Sequence, residues 1–150
     1  MRPLLVIANT PSANTQALRQ AVVTGAKRTS LPVIELSPFD AQPERVLNAG
    51  AIILGTTENF GYMSGAVKDF FERIYYPCLE HTQGLSVALY IRAGNDGIGA
   101  KTSVERIITG LRWKLVQEPL LLKGDFNSDF LNHCEELGEA MAEGVLMGIF

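Results

Sequence analysis

"AIILGTTENFGYMSGAVKDFFERIYY", residues 51–76, opens with a run from Ala51 to Gly55 that has no polar side chain at any position. A strand with one wet face alternates apolar and polar residues. One that is apolar throughout is covered on both faces, as in the middle of a parallel sheet between helix layers. After it comes a polar and aromatic turn, then Val67, Phe70, Phe71 and Ile74 at the spacing of a helix's inner face. The stretch therefore reads as one β/α unit with its strand at the centre of the sheet.

Outward from this unit the same alternation recurs. Strands are predicted at PLLVIA (3–8), PVIEL (32–36), AIILG (51–55), LSVALYI (85–91) and KLVQEPLLL (114–122). Leu18, Val22 and Gly25 mark the inner face of a first helix that starts near Asn14, and QPERVLNA (42–49) makes a short second one. Val104, Ile107, Ile108 and Leu111 mark the fourth; Phe130, Cys134, Leu137, Met141 and Val145 mark the last. Pro119 implies an edge strand or a bulge, and Pro77, after Tyr75 and Tyr76, ends or kinks the third helix. The expected architecture is α/β: a single domain over residues 1–150, with a five-stranded parallel sheet.

Length and composition agree. A chain of 150 residues buries roughly 68–70% of its unfolded surface, enough for a self-sufficient core. The 47% apolar and 19% charged fractions fit a folded globule, and a net charge of −3 is too small to argue for nucleic acid or a membrane surface as partner. Cys78 and Cys134 have neither metal-ligand spacing nor the density of a disulfide framework, so a reducing, cytoplasmic setting is expected. The apolar run of the first ten residues is too short for a signal peptide.

Open parallel sheets bind ligands at the carboxyl ends of their strands, so three loops carry the functional reading. The first, TPSANT (10–15), offers Thr10, Ser12, Asn14 and Thr15 around a helix N-terminus whose free amides suit a phosphate. A plain N-cap with a polar turn explains the same residues. The glycine fingerprint of dinucleotide sites and the P-loop lysine are both missing. The second loop places Phe60, Gly61, Tyr62 and Met63 where polar residues are usual, with Ser64 as a cap; this is a wall for a flat aromatic ligand. For single residues, plugging the sheet's end is the simpler reading. The third, RAGNDG, is turn-forming residue by residue, and only its position beside the other two gives it a functional reading. Arg92 reads as a surface arginine, and His133 beside Cys134 has no third ligand.

TPSANT resembles the phosphate-binding loop of flavodoxin-like proteins (Thr/Ser-x-Thr-Gly-x-Thr), with Ala13 where glycine is usual. TTENFGYMSGAVKDFFER resembles the ring-binding loop and following helix of flavodoxin-like NAD(P)H-dependent oxidoreductases, the FMN reductase and quinone reductase relatives. It does so at Thr56, Phe60-Gly61, Met63-Ser64-Gly65, Lys68, Phe70, Phe71 and Arg73. The resemblance implies the flavodoxin-like three-layer αβα sandwich, with strand order 2-1-3-4-5. It also implies noncovalent FMN with its phosphate on Thr10, Ser12, Ala13, Asn14 and Thr15. The ring would lie along Thr56, Thr57, Glu58, Asn59, Phe60, Gly61, Tyr62, Met63 and Ser64, and the third loop (Ala93, Gly94, Asn95, Asp96, Gly97) would close its other side. Amides near Asn59 to Gly61 would face the ring's reactive nitrogen edge. NAD(P)H would be the electron donor, and a quinone, flavin or other small molecule the acceptor. The third loop lacks the His and paired glycines of the quinone reductases.

Three functions compete on this reading: a flavin-dependent NAD(P)H oxidoreductase, which is preferred, a non-enzymatic flavodoxin-type electron carrier, and a flavodoxin-like module without cofactor. The tail EGVLMGIF (143–150) is apolar all round rather than along one stripe, which predicts a homo-oligomer contact, dimer or tetramer, with Tyr75 and Tyr76 as a further candidate contact.

Overall fold

A computed structural model describes residues 1–150. The chain runs β1 (Leu4–Ala8), α1 (Ala13–Ala26), β2 (Val33–Leu36), α2 (Pro43–Leu47), β3 (Ala51–Asn59), β4 (Tyr62–Met63), α3 (Gly65–Leu79), β5 (Ser86–Ala93), α4 (Ile98–Leu111), β6 (Lys114–Leu115), β7 (Leu120–Lys123) and α5 (Asp129–Leu146). The parallel ladder has the order β2-β1-β3-β5-β6, with β7 also on β5. Counting β6 and β7 as the fifth predicted strand, this is the expected order 2-1-3-4-5.

Period-two alternation on β3 explains the three layers. Ile52 and Leu54 point to one side and pack with Val67, Phe70, Phe71 and Ile74 of α3 and Val104 and Ile108 of α4. Ala51 and Ile53 point to the other and pack with Leu18 and Val22 of α1 and Met141 of α5. Ala51 to Leu54 are completely buried. Burial of each large side chain contributes roughly 1.5–3 kcal/mol. The α1–α5 layer is tight because Gly25 and Gly138 let the backbones touch: a Cβ on Gly25 would lie 1.9 Å from the Glu135 carbonyl oxygen. On the opposite layer Arg73 donates to the Pro38 and Ala41 carbonyls, holding the segment before α2 against α3.

Four local expectations are corrected. The fifth strand is two pieces: β6 pairs with Ser86 and Val87, with the Val116 amide still donating to the Val87 carbonyl, β7 pairs with Tyr90 to Ala93, and residues 117–119 leave the ladder where Pro119 has no N–H to give. The third strand runs four residues beyond Gly55, because β4 turns back on it. The third helix does not end at Pro77 but continues to Leu79. The tail is not helical to its end: α5 stops at Leu146, Gly148 takes φ +67, the Ile149 amide donates to the Gly144 carbonyl, and the Phe150 ring folds over Gly144. No helix is long and apolar enough to cross a membrane.

Candidate functional site

At the carboxyl edge of the sheet the three loops converge, each held by a different device. In the first, Ser12 caps α1 in a reciprocal box: its Oγ accepts from the Thr15 amide (3.2 Å), while Thr15 Oγ1 accepts from the Ser12 amide (2.9 Å). Thr15 Oγ1 also donates to the Ser12 carbonyl, and Thr15 is buried. Two of the hydroxyls read as ligand donors are thus committed to the cap. What remains is the pair of amides at Ala13 and Asn14, which have no intramolecular acceptor, with Thr10 and the exposed Asn14 side chain beside them. The first turn of α1 holds no acidic residue to neutralise its dipole. Asn9 Nδ2 donates to Thr57 Oγ1 (3.2 Å) and ties this loop to β3.

The second loop, expected as an irregular wall, is a β-hairpin. Asn59 pairs with Tyr62 and Glu58 with Met63, and Phe60 (φ 53) and Gly61 (φ 68) form the two-residue turn between them. Positive φ at both central positions is the type I′ pattern that matches strand twist. The hairpin sorts its residues by face. Met63 is 2% exposed and belongs to the core, whereas Phe60 is fully exposed at the tip and Tyr62 half so. Thr56 and Ser64 are buried in a structural role: the Ser64 amide donates to Thr56 Oγ1 (3.0 Å), and Ser64 Oγ caps α3 at Val67. Of the predicted ring-wall residues, Asn59, Phe60, Gly61 and Tyr62 face outward, while Thr56, Met63 and Ser64 turn inward.

Glu58 serves neither solvent nor surface. Its Oε1 accepts from the Gly97 amide (3.3 Å) and its Oε2 from the Ala100 amide (3.1 Å), so it caps α4 from another loop. Asp96 accepts from the Ile98 amide (3.0 Å) at the same helix end. The contrast is chemical. The α4 N-terminus is filled by the chain's own carboxylates, and the α1 N-terminus has none. Ser103, absent from the sequence reading, receives the Met63 amide (3.1 Å) and donates to the Ala100 carbonyl (3.0 Å), pinning the hairpin to α4. Gly99 completes the junction, since a Cβ there would sit 1.9 Å from the Gly61 carbonyl oxygen. Ala93 and Gly97 are buried, leaving Gly94, Asn95 and Asp96 as the exposed part of the third loop.

Arg92 is not a surface arm: its guanidinium donates to the Ala93 and Leu122 carbonyls and lies 5.2 Å from the centre of the Phe130 ring. Tyr90 lies under the site with its ring over Gly55, and its buried hydroxyl has no partner; burial raises its pKa and keeps it neutral. Burial also pushes the thiols up, Cys78 to about 11 with help from Glu44, and Cys134 to about 12. Both are free and inert at neutral pH. No group of three or more His, Cys, Asp or Glu could hold a metal ion.

Compared as a sequence, the chain matches no family profile and no curated protein. As a structure it is similar to a flavodoxin from the domain Archaea, with TM-score 0.84 at 21% identity over 96% of this chain and 99% of that one. It is likewise similar to a flavodoxin, WrbA-like protein from Agrobacterium tumefaciens (TM-score 0.77, 14% identity, 97% of each chain).

The chain has the flavodoxin fold.

The same fold unit occurs inside larger proteins: the flavodiiron protein from Giardia intestinalis matches 98% of this chain over 37% of its own length (TM-score 0.84, 13% identity). Within the flavodoxin fold of this chain, the predicted loops are the three that meet at one sheet edge. The residues that sequence reading missed or misread (Ser103, Gly99 and the capping role of Glu58) all act between the β3–β4 hairpin and α4. The glycines at Gly61 and Gly99 are the sequence signal that such a close approach leaves.

Proposed function

We propose that this chain binds FMN noncovalently at the three-loop edge and passes electrons from NAD(P)H to a small-molecule acceptor such as a quinone or a flavin. The carrying observation is Phe60, a fully exposed aromatic held at positive φ on the tip of a hairpin that is braced from both sides. An L-residue in that conformation costs roughly 1–2 kcal/mol, and exposing a phenyl ring gives nothing back in the free chain. A flat aromatic ligand against Phe60 and Tyr62 recovers that area.

The residues present fit the group. Amides of Ala13 and Asn14, with Thr10 and Asn14 side chains, would hold a dianionic phosphate at a helix end that lacks its own acid. Asn59, Phe60 and Tyr62 would face one side of the ring, and Gly94, Asn95 and Asp96 the other. Bound FMN supplies hydride acceptance and electron release. The chain's part is to orient and to exclude water. The hairpin amides, fixed by Ser103 and Glu58, offer preorganised donors to charge that develops on a ligand beside them. No acid–base side chain is required.

A carrier without its own NAD(P)H activity is the second reading, favoured by the match over 99% of an archaeal flavodoxin of the same size. The exposed Met147 and Ile149 support a homo-oligomer, dimer or tetramer, formed through the tail; light scattering with and without residues 147–150 tests it.

The deciding experiment is a titration with FMN, followed by its fluorescence, and then anaerobic NAD(P)H oxidation by the loaded protein. Saturable quenching with turnover supports the enzyme, quenching without turnover the carrier. No binding at millimolar FMN defeats both.

A further inference from the structure

Away from the three-loop edge, two apolar features of the surface lie toward the amino edge of the sheet, to which α3 and α5 run back. The first is the end of α5, which closes in a Schellman motif. The Gly148 amide donates to the Val145 carbonyl (3.2 Å) and the Ile149 amide to the Gly144 carbonyl (3.0 Å), with Gly148 at φ +67. Ile149 finds no side chain at Gly144 to pack on, and the Phe150 ring takes that place. Met147 and Ile149 are left 69% and 64% exposed. The result is an apolar knob whose backbone is already fixed, so docking it costs little further ordering. The second feature is a groove between α3 and α4, a hollow of about 350 Å³ lined by Lys68, Phe71, Glu72, Tyr75, Tyr76 and Ile107. Tyr75 is held there by its hydroxyl, which lies over Gly110 where a Cβ would come within 2.5 Å. Its ring meets that of Tyr76 edge to face at 5.3 Å, and Tyr76 itself stands 80% exposed.

Knob and groove carry opposite charges. α5 holds five carboxylates and no Lys or Arg. Arg28 pairs with Glu135 and Glu139, and His133 stands 4.0 Å from Glu136. Glu143, one turn before Met147, makes no ion pair. On the groove, Lys68 has only the exposed (i, i+4) contact to Glu72 at 3.2 Å, which a partner's carboxylate can replace. Arg106, beside Ile107 and lining the adjoining hollow, is likewise without an ion pair. A basic partner would be repelled from this groove, whereas an acidic, apolar helix end fits it. The two features sit on opposite layers, since α5 packs with α1 and α3 packs with α4 across the sheet. The sheet therefore separates the knob from the groove of its own copy, and only two copies can bring them together.

We infer that the end of α5 in one copy docks in the α3–α4 groove of a second copy. Met147 and Ile149 lie against Tyr76 and Ile107, and Glu143 is turned toward Lys68 and Arg106. The inference rests on the tail-mediated homo-oligomer proposed above and adds the surface that receives the tail. Knob and groove are different patches, so the tail does not pair with another tail. The tyrosine rings supply apolar area and the unpaired charges set the orientation. The carboxyl edge, with the flavin residues on it, stays open.

The test is complementation between two variants of the whole chain, read by analytical ultracentrifugation. One variant loses the knob (Met147→Gln with Ile149→Gln), and the other closes the groove with a repelling charge (Tyr76→Glu). All three positions are exposed, so both variants should fold, and neither should change an FMN titration. Each variant alone should be monomeric at concentrations where the parent assembles. Their equimolar mixture should form a heterodimer, because the groove variant keeps a knob that fits the intact groove of the other. Assembly of the parent should weaken severalfold between low salt and about 0.5 M salt, as exposed charge contacts are screened. A groove variant that assembles as the parent does overturns the inference and leaves the tail contact standing, as one between tails. A knob variant that assembles as the parent does, or a parent that is monomeric, defeats the tail reading and the inference together. A mixture that stays monomeric, or parent assembly indifferent to salt, overturns the inference alone.

Discussion

The carboxylate of Glu58, near the end of β3, accepts the backbone N–H of Ala100 in the first turn of α4 at 3.1 Å. Its second oxygen accepts the Gly97 amide at 3.3 Å, so one side chain joins the hairpin to the start of a helix 39–42 residues away. The negative charge also meets the positive end of the α4 dipole.

Glu58→Ala should therefore do two things at once. Two amides at a helix end lose their acceptor, and stability should fall by about 1–3 kcal/mol in urea unfolding. Hydrogen exchange at Gly97 and Ala100 should accelerate more than at β1. An unchanged exchange pattern would mean that the bridge does not hold the loops together.

Phe60 sets stability against binding. Asn followed by Gly is the preferred type I′ pair, so Phe60→Asn should relieve the left-handed strain and raise Tm by about 2–4 °C, the shift that roughly 1 kcal/mol produces in a domain of this size. The same variant should weaken FMN binding severalfold. A variant that gains stability without losing flavin affinity would remove Phe60 from the ring wall.

Tyr90 buries a hydroxyl without a partner. Tyr90→Phe removes the unsatisfied group and keeps the ring over Gly55, so stability should stay level or rise by up to about 1 kcal/mol. A loss above about 1 kcal/mol would show that the hydroxyl has a hydrogen-bond partner, such as an ordered water.

The two thiols predict the alkaline limit. Their folded values, about 11 for Cys78 and about 12 for Cys134, lie above the ordinary 9.0, so between these values the folded chain holds protons that the unfolded chain has released. Their contribution is whole below pH 9 and is lost as pH rises, by up to about 1.4 kcal/mol per pH unit for each thiol. Urea unfolding at pH 8 to 11 should show this fall, and a Cys78→Ala, Cys134→Ala double variant should fall less steeply. Iodoacetamide at pH 8 should leave both thiols of the native protein unmodified.

Contiguous residues were enough for the elements and the layers, while the sheet order came from the family resemblance. The wholly apolar Ala51 to Gly55 marks a central strand, the spacing of Val67, Phe70, Phe71 and Ile74 marks a helix face, and Ser64 marks a cap, which its acceptance of the Val67 amide bears out. These features are local, because strand and helix periods repeat within a few residues and a cap bonds three positions ahead. The hairpin was missed since Phe60-Gly61 is not an Asn-Gly or Asp-Gly pair, and since Met63 belongs to the core, which a sequence cannot distinguish from a ligand wall. The split fifth strand was half visible in Pro119.

Sequence alone thus determined an α/β chain with three candidate loops, two polar and one aromatic, at one sheet edge. Tertiary structure decided which atoms in those loops are free. Ser12 and Thr15 close on each other, Glu58 is taken by α4, and Gly99 exists to admit the Gly61 carbonyl. The groove between Lys68 and Arg106 likewise arises only when α3 and α4 lie side by side. The reason is physical: a side chain's period is written in its neighbours along the chain, but its hydrogen-bond partner is set by strand register and helix packing, which join segments some forty residues apart.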